Sequence, residues 1–125
     1  MRCFLRSAAG VVEGKAYWGS VFRGFTDEKE WGLIKAMDPL TAETKWEFRL
    51  NKAPWSGVLS TAGGVLFATA LDGYLMALDQ DGQAALKFNT GFSPLKGSPI
   101  TFEIGGRQYL TMGSGASVIT FALAR

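Results

Sequence analysis

The sequence predicts an all-β fold, a partial β-propeller of about three four-stranded antiparallel blades, on three observations. A short pattern occurs twice: Ala36-Met37-Asp38-Pro39-Leu40-Thr41-Ala42-Glu43-Thr44-Lys45-Trp46, and again Ala77-Leu78-Asp79-Gln80-Asp81-Gly82 running into Leu86-Lys87-Phe88. Recurrence at roughly 40 residues marks a stacked-repeat architecture, and Asp-Gly and Gly-Gly pairs between short apolar runs favour β-blades over helical solenoids. No stretch has the length of a stable helix; residues 40–45 have helix-forming composition but are too short to nucleate one. Propellers close with about 4–8 blades, and 125 residues at this period supply about 3.

The elements follow in order. Residues 17–22 and 31–37 read as later strands of a first blade, separated by a polar loop over 23–30. Residues 58–61, ended by Gly63-Gly64, read as the inner strand of a second blade. Residues 65–70 form a strand-length apolar run, Asp72-Gly73 a hairpin turn and residues 74–78 the returning strand; Asp81-Gly82 then turns the chain into residues 83–88. Asp and Gly suit such turns because they tolerate positive φ. Links this short exclude a parallel sheet, which needs crossovers of about a dozen residues. The unit restarts with strands over 99–104 and 107–112, a Gly-rich loop at Gly113-Ser114-Gly115, and a strand over 117–123. This gives three segments: an incomplete blade and loop over about 1–30, a central blade over 31–90, and an incomplete last blade over 91–125.

Composition narrows the function. With 47% hydrophobic and 19% charged residues, the chain is not intrinsically disordered. The net charge of +2 is scattered among both signs, so no phosphate-tracking stripe points to nucleic acid. No apolar run approaches the roughly 20 residues of a membrane helix. Residues 1–12 lack the uninterrupted apolar core of a signal peptide. The absence of His removes the commonest metal ligand and the usual general base near neutral pH. A single cysteine, Cys3, cannot form an internal disulfide and reads as a small packing residue. Asp38, Asp72, Asp79 and Asp81 all stand in turns, where a carboxylate accepts backbone N–H bonds; none reads as catalytic.

The pattern Ala-x-Asp-x-x-Thr-x-x-x-x-Trp, followed by Pro54-Trp55-Ser56-Gly57-Val58-Leu59-Ser60-Thr61-Ala62-Gly63-Gly64-Val65-Leu66-Phe67 and Asp72-Gly73-Tyr74-Leu75, resembles the C-terminal blades of quinoprotein alcohol dehydrogenases. These enzymes use pyrroloquinoline quinone (PQQ). The resemblance extends through Gly91, Ser98-Pro99-Ile100-Thr101 and Gly106-Arg107-Gln108-Tyr109-Leu110, about the last three quarters of the chain. The run from Trp55 to Gly64 is its most specific part.

The resemblance implies an eight-bladed propeller with the quinone on its axis, and a docking tryptophan that locks neighbouring blades. Trp46 matches that tryptophan. An aromatic of this size buries roughly 150–250 Å², at most about 4–6 kcal/mol by area. In the second copy Leu86 replaces the tryptophan and the turn is one residue shorter, so docking there is expected to be weaker. Ala42 occupies the place of the usual glycine, which makes a positive φ costly. Trp55 matches the tryptophan lining the quinone pocket, where a flat aromatic contacts a planar polyanion and excludes water. Residues 113–116 correspond to a terminal loop that approaches the cofactor in some relatives, but lack their glycine-tryptophan motif.

By the same resemblance the catalytic aspartate, the calcium or lanthanide ligands, the cysteine pair and the assisting arginine or lysine belong to blades upstream. The implied function is therefore a C-terminal fragment of a PQQ-dependent dehydrogenase that oxidises an alcohol or sugar hydroxyl. Such a fragment is inactive alone and depends on the missing upstream blades. The complete enzyme would act with calcium, pass electrons to a cytochrome or other acceptor, and reside in the periplasm. The alternative is a non-catalytic β-propeller scaffold or protein-binding module built from the same repeat.

Overall fold

The computed structural model describes residues 2–6, 10–15, 20–24, 31–93 and 95–124. The chain divides into two compact units, Met1–Glu30 and Trp31–Arg125. In the first, β1 (Arg2–Arg6) pairs antiparallel with β2 (Ser20–Gly24), Phe4 standing opposite Phe22. No strand was expected before residue 17, so β1 is a correction: it supplies the partner that β2 needs for its backbone groups. Residues 17–19 of the expected strand and most of the 23–30 loop lie outside the described residues, as does the side chain of Cys3.

The second unit holds three antiparallel sheets. β3 (Gly32–Met37) and β4 (Thr44–Leu50) form a hairpin. β5 (Leu59–Ser60), β6 (Leu66–Thr69), β7 (Tyr74–Leu78) and β8 (Ala84–Asn89) form a four-stranded meander. β9 (Ile100–Ile104), β10 (Arg107–Ser114) and β11 (Ser117–Ala122) form a three-stranded one. No helix occurs among the described residues, and none therefore is long and apolar enough to cross a membrane.

The meander over residues 59–89 falls where expected. Three details differ. β4 had been given no strand, although Trp46, Phe48 and Leu50 alternate with Lys45, Glu47 and Arg49 in the period-2 pattern of a half-buried strand. Gly113 and Ser114 belong to β10 rather than to a loop, and the turn is at Gly115 and Ala116. Of the sheets described, one has four strands; the others have three or two.

The central strands of the middle sheet, β6 and β7, are covered on both faces, which explains why they read as continuous apolar runs instead of alternating ones. On one face Leu66, Ala68, Met76 and Leu78 pack with Ile34, Leu50, Trp46 and Phe48 of the hairpin. On the other, Phe67 and Leu75 pack with Leu95, Leu110, Met112 and Phe121. Successive Cβ atoms of a strand point to opposite faces, so each of these strands feeds two cores. Three sheets stacked face to face, each a consecutive meander, are consecutive blades of a propeller.

Two turns carry the repeat. Asp38 accepts from the N–H groups of Leu40 and Thr41 at 2.9 and 3.1 Å, and its own N–H donates to Glu43 O at 2.8 Å. Asp79 accepts from Asp81 and Gln83 N–H at 3.0 and 2.8 Å, and its N–H donates to Gln83 O at 2.9 Å. The closing bond thus spans one residue fewer in the second copy. Ala42 has φ of +59°, a left-handed conformation disfavoured for a residue with a Cβ. Asp72 stands in its expected turn, but its Oδ1 is buried with no hydrogen-bond partner among the described residues.

Candidate functional site

Between the hairpin and the middle sheet the chain crosses in an extended segment, residues 51–58, that carries Trp55. Its neighbours are pinned. Pro54 lies against Gly32, where an added Cβ would meet Pro54 Cδ at 2.5 Å. Ser56 Oγ donates to Thr69 O at 3.2 Å and accepts from Thr69 Oγ1 at 2.6 Å. Gly57 N–H donates to Ser98 Oγ at 2.7 Å. Thr69 is fully buried, so these bonds satisfy a hydroxyl that would otherwise be costly to desolvate.

Residues 95–98 form the opposite wall. Leu95 is fully buried in the second core. Gly97 runs against Gly113, whose N, O and Cα would stand 3.0–3.2 Å from a Cβ added there, and its carbonyl accepts from Thr69 Oγ1 at 3.5 Å. Lys96, between the two anchors, is exposed and holds its Nζ 5.1 Å from the centroid of the Trp55 ring. The indole is 49% exposed. A half-open aromatic face is thus held by two strapped segments with an ammonium above it.

Trp55 is the one candidate site residue from the sequence, and it lies on this rim. Residues 113–116 reach the same neighbourhood through the packing of Gly113 against Gly97. Lys96 and the Ser56–Thr69 and Gly57–Ser98 bonds have no counterpart among the sequence expectations: a lone lysine and scattered hydroxyls carry no local pattern. Asp38 and Asp79 stay in their turns. Backbone N–H bonds from Leu40 first and Thr41 next hold the Asp38 carboxyl below its ordinary range. No group of three or more His, Cys, Asp or Glu able to hold a metal ion occurs among the described residues, so none of them is assigned to calcium.

Trp46 sits elsewhere, across the first sheet-to-sheet interface. Its Nε1 donates to Gln80 O at 2.8 Å, and its ring covers Gly82, where an added Cβ would stand 2.5 Å from the indole. Gly82, at φ of +76°, is required twice over, by its backbone and by the ring.

Stacked antiparallel sheets joined in this way define a segment of a β-propeller. No protein-family profile matches the chain. It is 40% identical over 112 residues to the quinoprotein ethanol dehydrogenase of Pseudomonas aeruginosa, a match covering 86% of this chain and 18% of that protein. It is also 40% identical over 85 residues to methanol dehydrogenase [cytochrome c] subunit 1 of Paracoccus denitrificans, covering 67% of this chain and 13% of the relative. Among solved structures, a europium-containing methanol dehydrogenase superposes with a TM-score of 0.63 at 30% identity over 69% of this chain and 15% of that one. A quinohaemoprotein alcohol dehydrogenase from Pseudomonas putida HK5 gives 0.63 at 29% identity over 70% and 13%. The chain is homologous to the quinoprotein alcohol and methanol dehydrogenases over most of its length, and spans less than a fifth of the length of these relatives.

Proposed function

We propose that this chain is a C-terminal propeller sector of a PQQ-dependent dehydrogenase acting on an alcohol or sugar hydroxyl, contributing blade structure and one wall of the quinone pocket. The observation that carries the reading is Trp55: a half-exposed indole in a segment fixed on both sides, within the stretch of sequence most specific to the family. A flat aromatic in a strapped segment fits a planar cofactor, because packing against it carries little cost of ordering the chain that bears it. When bound, such a quinone takes up the two electrons released as the hydroxyl-bearing carbon is oxidised. The part played by this chain is to offer Trp55 as a packing surface, to keep water from that face, and to hold the rim still through the Ser56, Thr69 and Ser98 bonds.

The third sheet supports the sector reading. Ile100, Phe102, Ile104 and Val118 share its outer face and are 57%, 38%, 64% and 75% exposed, an apolar surface of the kind that a following blade covers. The remaining blades would bring the base and the metal ligands. The complete enzyme would work in the periplasm, and electrons would leave to a cytochrome or another acceptor.

A chimera tests the reading. The matching segment of the Pseudomonas aeruginosa quinoprotein ethanol dehydrogenase is replaced by this chain, loaded with PQQ and calcium, and assayed by alcohol-dependent dye reduction. Activity is expected in the chimera and not in the isolated 125-residue chain. Trp55→Ala in the chimera is expected to lower PQQ retention by roughly tenfold, the scale of one lost aromatic contact of about 1.4 kcal/mol. Alcohol oxidation by the isolated chain, or full PQQ retention by the Trp55→Ala chimera, would overturn the proposal.

A further inference from the structure

We infer that Lys96 is a cofactor-anchoring residue of this chain, its ammonium receiving a carboxylate of a planar polycarboxylated quinone that packs at Trp55. The inference rests on the quinone reading above and adds a residue to it. Three observations carry it. Lys96 Nζ stands 5.1 Å from the Trp55 ring centroid, so the cation is already at the aromatic surface. Its backbone is held between Leu95, fully buried, and Gly97, which Gly113 approaches closely enough to crowd a Cβ. The two segments are tied directly by the Gly57 N–H bond to Ser98 Oγ at 2.7 Å, so the backbones that carry the indole and the ammonium are set side by side before any ligand arrives.

That arrangement selects for charge as well as for shape. A flat apolar ring needs only the indole. A flat ring bearing carboxylates gains a charge-assisted hydrogen bond from an ammonium beside the stacking surface, in a half-exposed setting where the cation–aromatic contact is weak enough to be exchanged for it. Lysine serves here as a mobile point charge on a flexible stem, able to leave the ring face and follow the carboxylate. No proton or electron transfer is required of it.

The test uses the chimera, in which the remaining blades complete the pocket, and two probes, PQQ and phenanthrenequinone, the latter a planar quinone without carboxylates. Binding is read by equilibrium dialysis against each quinone. PQQ is expected to bind more tightly than phenanthrenequinone, with an affinity that falls as salt is raised. Lys96→Gln is expected to weaken PQQ by roughly five- to tenfold, to flatten its salt dependence, and to leave phenanthrenequinone unchanged; Lys96→Arg restores most of the PQQ affinity. Equal PQQ binding by the parent and Lys96→Gln overturns the role of Lys96 while leaving Trp55 as a quinone contact. Unchanged binding of both quinones by the Trp55→Ala chimera, or failure of the parent chimera to bind either, overturns both.

Discussion

The two interfaces of the middle sheet are built on the same strand register and end differently. Trp46 stands opposite Ala36 and Leu86 opposite Ala77, each just before a register shift in the hairpin. At the first interface the indole crosses to the next sheet, covers Gly82 and bonds Gln80 O. At the second, Leu86 is 45% exposed and lines an open groove of about 630 Å³ with Val65, Phe67, Tyr109, Phe121 and Leu123. Contact is kept by Phe88, itself part-exposed, which meets Phe121 edge to face at 5.1 Å, and by buried Leu75, which packs with Leu110 and Met112. One side chain therefore separates an interface latched at the repeat turn from one left open there. A repeat can hold its strand register while changing how tightly neighbouring units are joined.

Removing the latch tests this most severely. Trp46→Ala is expected to destabilise the Trp31–Arg125 unit by about 3 kcal/mol, read from denaturant unfolding; a loss below about 1 kcal/mol would make the two interfaces equivalent after all. The reverse change comes next. Leu86→Trp is expected to stabilise by about 1 kcal/mol through filling of the groove, and a destabilised protein would mean that the third sheet offers the new ring no seat.

Smaller effects come from the turns. Ala42→Gly relieves the positive φ and is expected to stabilise by about 0.5–1 kcal/mol, measured as an upward shift in Tm. The weakest is acidic. The Asp38 carboxyl lies below the ordinary aspartate value because Leu40 and Thr41 donate to it, so its contribution is present above that ordinary value and disappears as pH falls through the lower folded-state pKa. Asp38→Asn is expected to flatten stability against pH in that acid window, and an unchanged profile would remove the turn bonds from the account.

Much of the fold was legible before any coordinates. Residues 74–78 and the turns at Asp72-Gly73 and Asp81-Gly82 announce themselves because Gly and Asp report backbone angles locally. β1 was hidden, since its partner lies in β2 and nothing within residues 2–6 points there. β4 could have been found: Trp46, Phe48 and Leu50 alternate with charged residues, a pattern obscured by the helix-forming composition just before it. For the site, Trp55 was visible through family likeness, whereas Lys96 is an ordinary surface lysine until the 95–98 segment is folded against it.

What the amino-acid order determined by itself was most strands of the middle and third sheets, their antiparallel sense and the two Asp-headed turns, because each depends on φ preferences and side-chain alternation within a few residues. Tertiary structure alone decided that both faces of β6 and β7 would be covered, that Trp46 would reach a carbonyl 34 positions away, and that an ammonium would stand over Trp55. Those outcomes depend on how whole sheets stack, and stacking brings together residues whose separation along the chain carries no local signal.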